Sequence, residues 1–188
     1  MNKTCRIALL LAVLFCLSAV TFVAVAKYIK DVPFKGQVTF TAALAESLTL
    51  TESKANRNPD GTYSLDTSKP VENNTYTLMP GVDVPKDPKI TITGKTAIPA
   101  YLYVEVNSTL PEGVTYALTG KWTLLEGHSN VYYYNDVLPT GDSTVQILNN
   151  NTVYVSDAVS RDTAANLTFR AYLFQNIGTP KESFKPTT

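Results

Sequence analysis

Two patterns of apolar and polar positions divide this chain. Residues 7–26 form an apolar run without a single charged side chain. From residue 37 onward the pattern changes to short alternating runs bounded by Gly, Pro, Asn or Asp. Alternation at period two puts every second side chain on one face of a strand. It predicts strands over residues 37–41, 47–52, 62–65, 76–79, 89–93, 100–107, 114–118, 121–125, 131–134, 144–148, 152–155 and 166–175. In 100–107, Leu102, Val104 and Val106 share one face and Tyr101, Tyr103 and Glu105 the other. In 166–175, Leu167, Phe169, Ala171 and Leu173 share a face. Residues 54–61 and the pair Pro80-Gly81 read as turns. Residues 84–88 carry two prolines and read as an edge or loop. Ala42-Ala43-Leu44-Ala45-Glu46 predicts a short helical start before the strand at 47–52. Residues 178–188 read as a polar, frayed tail. Many short strands at this spacing, with no internal repeat, predict an all-β sandwich or barrel.

The first apolar run has a different chemistry. Lys3 and Arg6 precede it, and Ala24-Val25-Ala26 close it. A basic start, an apolar middle and a small-x-small end are the parts of an export signal. The small side chains of Ala24 and Ala26 suit the narrow subsites of a signal peptidase, so cleavage is expected before Lys27. The run is also long enough for a membrane span, which needs about 20 residues, so a retained anchor is the alternative. Cys16 follows the bulky Phe15 and reads as an apolar signal residue, not a lipidation site.

Both cysteines, Cys5 and Cys16, fall within the first 26 residues. Small exported domains often lean on disulfides. A chain beginning at Lys27 cannot, and must be held by burial and sheet hydrogen bonds. Sixteen Lys/Arg less Lys3 and Arg6 leave fourteen, against sixteen Asp/Glu, a net charge of −2. Without a basic stripe, nucleic acid is excluded as a partner.

The chemistry of catalysis is sparse. One histidine, His128, sits in a Gly-His-Ser-Asn turn. A zinc-protease helix needs two histidines at i and i+4, which this composition cannot supply. No Gly-x-Ser-x-Gly elbow is present. The reading is therefore not an enzyme, with no catalytic residue, no metal and no cofactor. Asn56-Arg57-Asn58-Pro59-Asp60-Gly61 mimics the start of a calcium loop, but Thr67 stands where the bidentate Glu belongs. The same residues are ordinary for a β-turn. Leu138-Pro139-Thr140-Gly141 lacks the apolar segment and basic tail of a wall-sorting signal and also reads as a turn. After residue 26, Asn-x-Ser/Thr sequons stand at Asn73, Asn107, Asn150 and Asn166. The run Tyr132-Tyr133-Tyr134 could stack on sugars or serve the core.

Several segments, in order, resemble the TasA/camelysin family of exported proteins of Gram-positive bacteria. They are Ala26-Lys27-Tyr28-Ile29-Lys30-Asp31, Val38-Thr39-Phe40, and Leu78-Met79-Pro80-Gly81-Val82-Asp83 with Ile90-Thr91-Ile92 after it. Ala100-Tyr101-Leu102-Tyr103-Val104-Glu105-Val106, Trp122 with Tyr132-Tyr133-Tyr134-Asn135, and Ala171-Tyr172-Leu173-Phe174-Gln175 complete the set. The resemblance covers nearly the whole chain. It implies a two-sheet, jelly-roll-like β-sandwich behind an N-terminal signal helix. It implies processing by a dedicated SipW-type signal peptidase and a place in a biofilm matrix or in surface fibres. Some relatives carry a metalloprotease label, and nothing in this sequence supports carrying it over.

The organisation expected is a signal peptide over 1–26, an N-terminal assembly segment over 27–36, a β-sandwich domain over 37–177 and a polar tail over 178–188. In fibrous relatives the free N-terminal segment adds as a strand to the next subunit. Here Tyr28, Val32 and Phe34 share one parity and are the assembly residues, while Pro33 can sit only where no ladder donor is needed. The expected partners are further copies of this chain and the signal peptidase, with cell-wall or matrix components as a further class. The expected place is secreted, in the matrix or on the cell surface. The alternatives are a monomeric, membrane-anchored surface binding domain and, behind it, a camelysin-type secreted protease.

Overall fold

The computed structural model describes residues 29–31, 38–41, 47–94, 99–136, 138, 142–160 and 165–186, with backbone alone at 29–31, 38–41 and 47. Among the described residues thirteen strands follow one another: β1 (Ile29–Asp31), β2 (Val38–Thr41), β3 (Ser47–Arg57), β4 (Tyr63–Val71), β5 (Val84–Pro85), β6 (Lys89–Thr93) and β7 (Ala100–Thr109). Then come β8 (Val114–Leu118), β9 (Trp122–Leu124), β10 (Val131–Tyr134), β11 (Ser143–Gln146), β12 (Leu148–Val155) and β13 (Asn166–Gln175). A four-residue helix, α1 (Pro180–Ser183), comes last.

The strands form three sheets. A six-stranded sheet runs β1-β2-β13-β7-β10-β9, a four-stranded sheet β11-β6-β3-β4 and a three-stranded sheet β5-β12-β8. Every pairing among these strands is antiparallel except β2 with β13. The fold is thus all-β, in packed sheets compatible with a sandwich. The two smaller sheets meet at a seam made by Pro85 and Pro88, which have no N–H for a ladder. Ile147 N donates to Pro88 O at 3.1 Å and Lys86 N to Asn151 O at 2.7 Å, carrying the pairing across the seam.

Burial follows the alternation read in the sequence. Leu102, Val104 and Val106 of β7 and Leu167, Phe169, Ala171 and Leu173 of β13 lie in one core. Leu48, Ile90, Ile92 and Val145 reach the same core from the second sheet, and Val84, Val114, Val153 and Val155 from the third. The opposite face of β7 and β13 is buried too. Tyr103, Tyr172 and Phe174 pack there with Leu125 and Val131 in a second cluster. Phe184 closes that cluster, with its ring centroid 4.9 Å from Tyr103, 5.5 Å from Phe174 and 5.6 Å from Tyr172.

Phe184 belongs to the tail expected to fray. Thr179 caps α1 in a reciprocal capping box with Glu182, and Pro180 stands in the first turn. Lys181 pairs with Glu126 at 2.8 Å. A cap, a proline with preset φ and an aromatic anchor together hold so short a helix. Other differences are local. β3 and β4 extend beyond the predicted 47–52 and 62–65, with only residues 58–62 left as the turn between them. Residues 76–79 are not a strand. Met79 bridges Val82 around the Pro80-Gly81 turn, where Gly81 takes φ 66° and a Cβ would strike the Asp157 carboxylate. The helical start predicted at 42–46 lies outside the described residues.

Candidate assembly edge, polar centre and groove

The residues singled out for export and assembly stand at the N-terminal end. Ala24, Ala26, Lys27, Tyr28, Val32 and Phe34 all lie outside the described residues. Between them, Ile29–Asp31 is described as β1, the outermost strand of the six-stranded sheet. Among the described strands it pairs with β2 alone, through Ile29↔Thr41, Lys30↔Phe40 and Asp31↔Thr39. β2 in turn joins β13 through Ala171↔Val38 and Tyr172↔Thr39. Ile29–Asp31 therefore sits at a sheet edge, paired among the described strands with one short neighbour.

A polar centre lies where β3 meets the Pro85–Pro88 seam. Glu52 and Lys86 are 2 % and 6 % exposed, and their charges meet at 2.7 Å. The second Glu52 oxygen accepts the Asn74 N–H at 2.7 Å. Asp87 receives both Ser53 N and Ser53 Oγ at 2.7 Å. Here β4 departs from β3, the register jumping from Ser53↔Pro70 to Lys54↔Asp66. The Asn74 side chain bonds the β3 backbone here, accepting from Ala55 N and donating to Ser53 O, each at 2.8 Å. Lys86 Nζ also lies 5.7 Å from the Tyr76 ring centroid. The Tyr76 hydroxyl donates to Pro85 O at 2.9 Å. Burial, then the negative charges of Glu52 and Asp87, push the Tyr76 phenol well above the ordinary tyrosine range. The centre thus holds two carboxylates and one ammonium, all more than nine-tenths buried. Every carboxylate oxygen is paired, as buried charges require. The signal for it in the sequence is Val84-Pro85-Lys86-Asp87-Pro88, two charges pinned between prolines that stop a regular strand.

Beside the centre an open groove of about 190 Å³ runs between the third sheet and the start of β13. Leu78, Val84, Val114, Val153 and Leu167 make its apolar floor, and Asn73, Asn166 and Lys86 its polar rim. Glu72 lies exposed on an adjoining groove that shares Asn73, Lys86 and Leu167.

The remaining sequence candidates serve structure. Asp60 Oδ1 accepts from Thr62 N at 3.0 Å and Thr62 Oγ1 at 2.7 Å, and Asn58 Nδ2 donates to Thr62 Oγ1 at 2.9 Å. The calcium-like run is a turn bonded to itself. His128 packs edge-on against Phe184, centroids 5.2 Å apart. Among the described residues no cluster of three or more His, Cys, Asp or Glu could hold a metal, and no helix is long and apolar enough to cross a membrane. Of the tyrosine run, Tyr134 packs on Trp122 at 5.3 Å, and Tyr133 borders the outer aromatic cluster. In that cluster the Tyr172 hydroxyl donates to Glu105 at 2.6 Å. Burial, then the bond to Glu105 and its charge, push Tyr172 up to about 12. Burial pushes Glu105 up as well. The hydrogen bonds from Tyr172 and Asn107, with the Arg170 charge, outweigh that and hold the carboxyl below its usual range.

No family model, no curated protein and no solved structure matches this chain.

Proposed function

We propose that this chain is an exported structural protein, a subunit of matrix or surface fibres, related to the TasA/camelysin family and built on a jelly-roll-like β-sandwich. In this reading the chain is cut before Lys27, and residues 27–36 of one copy add as a strand to the next. The observation that carries it is the position of Ile29–Asp31, outermost in its sheet and held by one four-residue strand. A pairing of three residues on one neighbour gives this edge few ladder bonds. Strand addition to a neighbour replaces it with main-chain hydrogen bonds and adds pockets for alternate side chains. The absence of cysteine after residue 26 fits an assembly held by sheet bonds alone.

The test compares the purified chain 27–188 with one starting at Gly36, by electron microscopy and thermal unfolding. The longer chain should form fibres. The shorter should keep a cooperative transition and form none. Fibres from both would rule out donation by this segment, and failure of the shorter chain to fold would make the segment an internal strand. Phe34→Asp is the finer test. A carboxylate carried into a neighbour's apolar groove costs several kcal/mol, while the free monomer should barely notice it. The second reading, a monomeric anchored binding domain, is favoured by the length of the apolar run over residues 7–26 and by the open groove. It predicts uncut, membrane-bound protein.

A further inference from the structure

A donated strand needs an unpaired edge with side-chain pockets beside it, and the strand edges of this fold differ in how well they are defended. β4 carries Pro70, the register jump and the Asp66–Lys69 ion pair. β5 is two residues long and includes Pro85. β9 has three residues, flanked by the Lys121–Asp136 ion pair. β11 is four residues long, and its Gln146 O already accepts the Trp122 indole at 3.0 Å. Prolines, charges and shortness are the ordinary defences of an edge. β8 has none of them. Val114-Thr115-Tyr116-Ala117-Leu118 is uncharged, free of proline and rich in strand-forming residues, and among the described residues only β12 pairs with it.

The ladder shows which groups face outward. Gly113 O accepts from Ser156 N, and Thr119 N donates to Ile147 O, so these residues and Thr115 address β12. Antiparallel alternation turns the N–H and C=O of Tyr116 and Leu118 the other way, to the free edge. The groove begins at the same strand, with Val114 on its floor. Its volume of about 190 Å³ exceeds the ~150 Å³ that admits a benzene ring in a dry protein cavity.

We propose that β8 is the acceptor edge. Residues 27–36 of a second copy add alongside Val114–Leu118, and an apolar side chain of the Tyr28, Val32, Phe34 set enters the groove. This rests on the strand-donation reading above. Charge selects the occupant. Lys27, Lys30 and Lys35 outnumber Asp31 in the donor. The acceptor offers exposed Glu72 and Glu112. The five residues of β8 fix its reach at about 17 Å, which a ten-residue segment covers.

The chain from Lys27 has no cysteine, so disulfide trapping is free of background. A donor variant, Lys35→Cys, is mixed with an acceptor variant, Thr115→Cys or Ala117→Cys, each in the chain 27–188, and oxidised. Ser64→Cys on β4 and Thr123→Cys on β9, also exposed, serve as controls. The expected result is a heterodimer band with the β8 variants, lost with both controls. Fibres that cross-link through β4 or β9 instead would overturn the β8 assignment and leave strand donation standing. Covalent homodimers of Ala117→Cys without donor cross-links would make β8 a site of self-pairing between two copies. Absence of any donor cross-link, with no fibres, would sink strand donation itself.

Discussion

Lys86→Met removes one charge from the polar centre and keeps most of the side-chain volume. Glu52, 2 % exposed, loses the cation paired with it and retains the Asn74 N–H at 2.7 Å. Breaking a buried pair from one side typically costs about 3–5 kcal/mol, because a desolvated charge is left behind. The surviving hydrogen bond puts the expected loss near the lower end, about 3 kcal/mol. For a domain of this size, 1 kcal/mol moves the melting midpoint by about 2–4 °C, so the midpoint should fall by roughly 6–12 °C. The double variant Glu52→Gln, Lys86→Met removes both charges and should recover a large part of that loss. Thermal and urea unfolding of the four chains of this cycle isolate the coupling between the two residues. A Lys86→Met chain as stable as the parent would refute the reasoning. So would a double variant no better than the single one, since the penalty would then come from lost packing and not from an orphaned carboxylate.

N-terminal sequencing of protein from the culture medium should begin at Lys27, and full-length protein found only in membranes would disprove cleavage. Phe184→Ala should cost about 2–3 kcal/mol, below the 3–5 of a fully buried aromatic, because the ring is partly exposed yet meets four aromatic partners; an unchanged urea midpoint would mean the tail is not docked. Tyr172 is raised from 10.0 to about 12 in the fold, so its proton is held more tightly folded than unfolded. That stability is complete below pH 10 and lost as the pH rises towards 12. Tyr172→Phe should flatten the alkaline fall in stability, and an identical fall in both chains would count against it.

Alternating strands are legible directly. In β7 and β13 the apolar residues alternate cleanly, so the alternation alone names the inward residues. The outer cluster hides behind the same pattern, because Tyr103, Tyr172 and Phe174 occupy positions where one expects a solvated face. β4 gives almost no signal. Asp66-Thr67-Ser68-Lys69-Pro70 is polar throughout because this edge buries little on either side. Tyr76 and Leu78 alternate convincingly, yet they are anchors of an irregular segment whose hydrogen bonds go to Pro85 and Tyr63. The polar centre joins residues 34 positions apart, a distance no local pattern spans. α1 does carry a local signal. Thr179-Pro180-Lys181-Glu182 is a capping box with proline at the first position, and the polar composition of the tail masks it.

The parallel pairing of Val38 with Ala171 joins the two ends of the folding unit, and that bears on timing. A chain that emerges N-terminus first, from a ribosome or an export channel, presents β2 long before its partner exists. At about 5–20 residues per second, the wait for β13 is on the order of ten seconds. β7 waits as well, for ten register partners on the same late strand. The largest sheet therefore cannot close on a partial chain. A product truncated before β13 lacks the strand that joins β2 to β7, and with it the six-stranded sheet.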